Sequence, residues 1–171
     1  NSESTPSNDQ QTTPGVPQYD VIQKVHNPHY GDVKVIRDQR TNELMLLKEV
    51  VVNCREAFET ELAFFEKRVT VSHPNIVRLY GYTTQDSQNF CSTYFKISVF
   101  IEVISKNLET HLNEHIAQKQ AFSENEILLL ADSLINGLSY FQTLNLSHGD
   151  IRPFNILLSH DNVYKLSDPY L

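Results

Sequence analysis

The sequence predicts an α+β fold in which a strand-rich half precedes a helical half. Short apolar runs separated by polar turns fill residues 19–52, a pattern that is typical of strands. Apolar residues at spacings of three and four then indicate helices at 55–68, 107–119 and 123–143. Apolar residues make up 40% of the 171 residues, which is enough to fill the core of one domain.

Composition excludes two classes of partner and indicates a compartment. The formal net charge is −7, whereas surfaces that bind nucleic acid or anionic membranes need clustered Lys and Arg, so we expect neither partner. No run is long enough for a transmembrane helix. Two cysteines, Cys54 and Cys91, make no disulfide framework, which favours a reducing, cytoplasmic setting. Met45 is the only methionine, so a chain that begins at Asn1 is expected to be processed or part of a longer protein.

The first third of the chain begins as a polar tail and continues in strands. Residues 1–18 are rich in Ser, Thr, Pro and Gln, and they offer too little apolar surface to offset ordering, so we expect a disordered tail. Strands are predicted at 19–25, 32–37 and 43–52. The third strand carries Lys48 between apolar neighbours. Such a lysine is either exposed on the solvated face or a buried cation that needs an acid.

The helix predicted at 55–68 has one apolar face. Its members recur at spacings of four, three and four: Phe58, Leu62, Phe65 and Val69. Glu61 borders this face and could reach the sheet, although a solvated helix acid has the same pattern. After the segment 72–81, polar residues 83–93 predict a loop, and residues 94–104 predict a further strand.

The helix predicted at 107–119 contains a possible zinc motif. His111-Leu112-Asn113-Glu114-His115 matches H-x-x-E-H, in which two His one turn apart can hold zinc while Glu serves as a base. A catalytic zinc site needs a third protein ligand, and the nearest downstream acids, Glu124 and Glu126, fall at the start of the next helix. The sequence therefore favours a solvated helix face over a metal site.

The next helix carries the strongest local signal. Ser123 and Glu126 are spaced as a capping box, and we expect the helix to end near Thr143. Its predicted apolar stripe is Ile127, Ala131, Leu134, Leu138 and Phe141. An apolar face that stays exposed would need a cover, so we expect either a longer chain or a protein partner to cover this part of the molecule.

The segment Ser147-His148-Gly149-Asp150-Ile151-Arg152-Pro153-Phe154-Asn155 joins this helix to a short apolar run at 156–159. Pro153 cannot continue a helix, so Asp150 and Asn155 are expected on one rigid loop. Phosphoryl transfer needs an Asp that accepts a hydroxyl proton and a nearby oxygen ligand for magnesium. A plain turn between a helix and a strand is the alternative.

These features, in this order, resemble the eukaryotic protein kinases. The loop resembles the kinase H-R-D-L-x-x-x-N, with Gly149 in place of the Arg. A second strand pair is predicted at 156–159 and 162–167, and the acid that follows resembles the kinase D-F-G Asp. The resemblance implies a small lobe at 19–104 with a five-stranded antiparallel sheet and one helix. Residues 105–171 would then form the first part of a helical lobe.

The resemblance also implies roles for individual residues. Lys48 would contact nucleotide phosphates and Arg152 would lie near the transferred phosphate, while Asp150 would be the catalytic base. Asn155 and Asp168 would hold magnesium. The residues implied to contact ATP are Val25, Gly31, Val33, Lys48, Glu61, Glu102, Val103 and Leu157.

Several positions depart from the kinase pattern. Pro28 falls in the Gly-rich loop and has no N–H to offer a phosphate, and Leu46 replaces a small residue beside adenine. Gly149, Pro169 and Tyr170 replace other motif residues. We therefore expect a pseudokinase-like module that binds or scaffolds partners and binds nucleotide poorly. The alternative is a divergent active Ser/Thr-type kinase that transfers the γ-phosphate of ATP with Mg²⁺.

Overall fold

The computed structural model describes residues 18–27, 31–89, 92–104 and 106–168. The expected tail at 1–18 therefore lies outside the described residues except for Gln18, as do Pro28, Pro169 and Tyr170. The first elements are β1 (Tyr19–Asn27), β2 (Gly31–Asp38), β3 (Leu44–Val52), α1 (Arg55–Arg68), β4 (Leu79–Asn89) and β5 (Ser92–Glu102). The later elements are β6 (Lys106–Asn107), α2 (Leu108–Ala117), α3 (Glu124–Thr143), a 3-10 turn (Pro153–Asn155), β7 (Ile156–Leu158) and β8 (Tyr164–Leu166).

The first half forms one antiparallel sheet with the strand order β1-β2-β3-β5-β4, which confirms the five-stranded prediction. Helix α1 packs on β3 and β5 through its apolar face. Phe65 of this helix lies in a core with Val77, Ile97 and Val99, and each of these four side chains is almost fully buried. This packing places Lys48 of β3 beneath the helix that carries Glu61.

The prediction of a loop at 83–93 is wrong for most of these residues. Strand β4 continues through Asn89 and pairs with β5 up to Ser92, forming a long hairpin. The polar composition of this stretch suits an edge position, because among the described strands β4 pairs with β5 alone. Backbone hydrogen bonds to β5 hold such a strand without an apolar face.

A second, small antiparallel sheet joins β6, β7 and β8, and it confirms the predicted pairing of β7 with β8. Helix α3 packs on β8. A parallel bridge between Ile76 and Leu166 ties this sheet to the segment that precedes β4. The hydrophobic core around this second sheet also contains Val71, Phe141 and Tyr164. None of the helices in the described ranges is both long and apolar enough to span a membrane.

Helix α3 begins as predicted but buries a different face. Ser123 Oγ accepts from the Glu126 backbone N–H, and Glu126 accepts from the Ser123 N–H at 2.7 Å, so the capping box is confirmed. The predicted stripe is partly wrong, because Ile127 is 54% exposed. The buried residues of the helix are Ser133, Gly137 and Phe141, so the helix packs through its second half.

Candidate active site

A cavity of about 340 Å³ lies between the five-stranded sheet and the loop that follows α3. Its apolar walls are Val25, Val33, Leu46, Val77, Ile101, Ile104 and Leu157, and its polar rim includes Lys48, Glu102, Asn107, Asn155 and Ser167. An apolar slot with a few convergent polar groups is the usual form of a small-molecule site. Leu46 lines the slot without closing it.

The cavity brings together most of the residues that the resemblance assigned to ATP. Val25, Val33, Lys48, Glu102 and Leu157 all line it. Their role in nucleotide binding stays a prediction.

Three further residues were predicted to contact ATP, namely Gly31, Glu61 and Val103. Gly31 opens β2 opposite Asn27. Val103 lines a neighbouring cavity with Lys165. The Lys165 Nζ lies 2.5 Å from Glu102 Oε1, so the Glu102 carboxylate faces this lysine.

Lys48 is a buried cation, which settles the alternative that the sequence left open. The residue is only 7% exposed. Burial lowers the pKa of Lys48 from its usual 10.5 to about 8, while the nearby Glu61 carboxylate acts in the opposite direction and raises it. At pH 7 the ammonium group is therefore still mostly protonated. Glu61 acts on it from α1, the helix that packs over the sheet.

Asp150 and Asn155 converge on one loop. The Asn155 side-chain N–H donates to Asp150 Oδ2 at 2.8 Å and to the Asp150 carbonyl oxygen at 2.9 Å. Arg152 Nε lies 3.1 Å from the same Asp150 carboxylate, and the Asp150 side chain is 37% exposed. An acid held in this way can accept a proton from a group that approaches from solvent.

His148 fixes the base of this loop. It is buried, and its Nε2 lies 2.6 Å from the carbonyl oxygen of Ser167, so Nε2 carries the hydrogen. Its Nδ1 then accepts the backbone N–H of Asp150 at 3.3 Å. Gly149 between them has a φ of +81°, which is strained for any residue with a side chain, so glycine suits this turn.

Asp168 is held by a residue that the sequence analysis missed. The Arg68 Nε donates to both carboxylate oxygens of Asp168, at 2.8 and 2.9 Å. Arg68 is fully buried at the end of α1, where Nη2 also donates to the Val77 carbonyl oxygen and the guanidinium lies 5.8 Å from the centroid of the Phe141 ring. The sequence did contain a sign that Arg68 is buried. It follows Phe65 by three residues and therefore falls on the apolar face of the helix.

The site suits the base of a magnesium nucleotide better than it suits the magnesium ion. The apolar slot has the lining and size that a planar base needs. Asp168, however, is 4% exposed in its side chain and its oxygens face a guanidinium. A divalent cation at this carboxylate would have to reach a buried group and lie beside the positive Arg68 guanidinium, so the predicted metal pair of Asn155 and Asp168 fits poorly in this arrangement.

Comparison with known proteins decides the family. A family model described as protein kinase domain matches residues 19–169. The chain belongs to this family. The predicted family and the kinase-like fold are therefore confirmed, while the roles of individual residues stay predictions.

Several curated kinases are similar to this kinase domain. It is 27% identical over 148 residues to MAP kinase kinase kinase wis4 of Schizosaccharomyces pombe, covering 84% of this chain and 10% of that protein. It is 32% identical over 146 residues to mitogen-activated protein kinase kinase kinase A of Dictyostelium discoideum, covering 81% and 14%. It is 27% identical over 150 residues to the probable serine/threonine-protein kinase MRK1 homolog of Encephalitozoon cuniculi, covering 88% and 43%. The chain thus spans less than half the length of each of these relatives.

Proposed function

We propose that this kinase domain is a pseudokinase-like module that binds or scaffolds protein partners and has impaired binding of MgATP. The observation that carries the proposal is the buried ion pair between Arg68 and Asp168. In the family, the acid at the position of Asp168 holds magnesium. An intact ion pair keeps a buried positive charge beside the Asp168 carboxylate, and this charge disfavours magnesium at one of the two predicted ligands.

Departures in the sequence point the same way. Pro28 cannot donate a backbone N–H to a phosphate, and one lost charge-assisted hydrogen bond is worth roughly 1.5–3 kcal/mol. Leu46 lines the slot where the family has a small residue, and the larger side chain leaves less space for an adenine ring. Gly149 lacks the side chain that in the family can pair with a phosphate on the activation segment.

A divergent active Ser/Thr-type kinase is the second candidate. The observation that favours it is the geometry of Asp150 and Asn155, which share two hydrogen bonds on one loop. Lys48 with Glu61 nearby also retains the charges that position phosphates in the family. The two candidates differ in whether MgATP binds.

Protein partners are part of the proposal. Helix α3 exposes several large apolar side chains: Ile127, Leu128, Leu129 and Ile135. Exposed apolar side chains of this kind, on a chain whose net charge is −7, suit a protein surface better than nucleic acid or an anionic membrane.

Thermal unfolding with a few millimolar MgATP tests the proposal. We expect no measurable rise in the midpoint relative to Mg²⁺ alone. A nucleotide present at 100 times its dissociation constant would stabilise the fold by about 2.7 kcal/mol, which is readily detected. A clear rise would favour the active kinase if it is lost in Lys48→Ala and kept in Lys67→Ala. Lys67 is a suitable control because it is an exposed lysine on α1.

A further inference from the structure

Helix α2 places two histidines in a buried setting, which corrects the prediction of a solvated helix face. His115 is only 9% exposed, and the side chain of His111 is only 14% exposed. Their ring centroids lie 4.6 Å apart. Phe122, just before α3, stacks on His115 with centroids 4.2 Å apart and meets His111 edge-on at 5.2 Å.

The third member of this cluster comes from the next helix. Glu126 lies in the first turn of α3, and its Oε1 is 3.8 Å from His115 Nε2. One ligand atom from each of His111, His115 and Glu126 can be chosen so that all three lie within 4.8 Å of one another. The acid that the sequence placed at the start of the next helix is thus brought back to the H-x-x-E-H segment by the turn between α2 and α3.

Apolar packing alone does not explain why two histidines, rather than apolar residues, occupy these buried positions. The Nδ1 atoms of His111 and His115 are buried and have no hydrogen-bond partner among the described residues. A buried polar atom without a partner is unusual in a native protein and calls for an ion, a water molecule or a function. Phe or Leu at these positions would fill the same space without leaving a buried nitrogen unpaired.

We propose that His111, His115 and Glu126 form a Zn²⁺ site that joins α2 to α3. Two imidazoles and one carboxylate are a common protein ligand set for zinc, with the fourth position left to water. Ligand atoms of a tetrahedral zinc ion lie about 3.3 Å apart, given bonds of about 2.0–2.1 Å. The ligand atoms now lie up to 4.8 Å apart, so they would have to approach one another by as much as about 1.5 Å to bind one ion.

The surroundings already orient the carboxylate. Glu126 Oε2 accepts from the backbone N–H and the hydroxyl of Ser123, both at 2.7 Å, which leaves Oε1 facing His115. Partners of this kind hold metal ligands in place and fix their direction. Glu114, the motif's own acid, accepts from Lys106 at 2.5 Å, and the same oxygen lies 3.8 Å from His111 Nδ1, beyond hydrogen-bond distance. The helix cap and the zinc site therefore use different oxygens of Glu126.

Titration of the metal-free 171-residue chain with Co²⁺, followed by competition with Zn²⁺, tests the site. We expect one equivalent of Co²⁺ to give the strong visible absorption of a four-coordinate ion, and Zn²⁺ to abolish it. His115→Ala and Glu126→Gln should each weaken Co²⁺ binding by about a hundredfold or more. Loss of a residue that only supports a metal ligand already weakens metal binding by about tenfold to a hundredfold. The matched control is His160→Ala, because the His160 side chain is 92% exposed and lies outside the cluster.

Glu126→Gln decides the outcome if His115→Ala fails to fold. Gln keeps an oxygen for the capping box, so this variant removes the ligand charge and preserves the helix start. Absence of four-coordinate absorption in the parent chain would overturn the proposal. Equal affinity in the parent and Glu126→Gln would also overturn it, because the ion would then be bound elsewhere.

Discussion

Arg68→Ala is expected to lower the free energy of unfolding by about 3–5 kcal/mol. The substitution leaves the Asp168 carboxylate buried without its counter-charge, and it removes the hydrogen bond to the Val77 carbonyl. A domain of this size has only about 5–15 kcal/mol of stability in total, so the loss is a large share. Urea unfolding followed by circular dichroism measures it.

The control for this prediction lies on the same helix. Arg55 pairs with Glu59 at 3.9 Å, and both side chains are about two-thirds exposed, at 66% and 64%. Arg55→Ala should therefore cost no more than about 1 kcal/mol. Equal losses in Arg55→Ala and Arg68→Ala would contradict the account. A double-mutant cycle with Asp168→Asn should show a coupling well above that of a surface pair.

Gly137→Ala is expected to destabilise the fold by about 1–2 kcal/mol, although Ala is the better helix former by about 1 kcal/mol. A Cβ at this position would lie 2.9 Å from the carbonyl oxygen of Asn75 and 3.0 Å from Leu166 Cδ1. The oxygen cannot retreat, because it accepts the Leu166 backbone N–H at 2.9 Å. Helix α3 would have to move away from β8.

Gly81→Ala is the matched control, since a Cβ there meets nothing within 4 Å among the described atoms. Its effect should stay within about 0.5 kcal/mol. Chemical unfolding of both variants, with a crystal structure of Gly137→Ala, would measure the shift of the helix. If Gly137→Ala were as stable as the parent, the close approach of α3 to the Asn75 segment would be wrong.

Local sequence patterns predicted much of the fold. Helix α1 spans 55–68, as its apolar periodicity and polar boundaries indicated, and the Ser123 cap marks the start of α3. These features depend on contacts within a few residues, which single-sequence reasoning can see. The extension of β4 through residues 83–89 was missed because its pairing depends on backbone hydrogen bonds to β5, not on apolar alternation.

The candidate site was predictable only in part, for a related reason. Asp150 and Asn155 lie five residues apart, so a rigid loop brings them together as predicted. Arg68 and Asp168 are 100 residues apart, and no local sequence pattern predicts that they pair. The partnership of Glu126 with His115 likewise depends on how two helices meet.

The most direct test of the central claim is a search for a divalent cation at Asp168. Mn²⁺ takes the oxygen ligands that Mg²⁺ prefers, and its anomalous X-ray scattering locates it in a crystal. In crystals soaked with MnATP, we predict that the Arg68 ion pair to Asp168 stays intact and that no anomalous peak lies within bonding distance of that carboxylate. A peak coordinated by both Asp168 and Asn155, with Arg68 displaced, would contradict the account and identify a nucleotide-binding kinase.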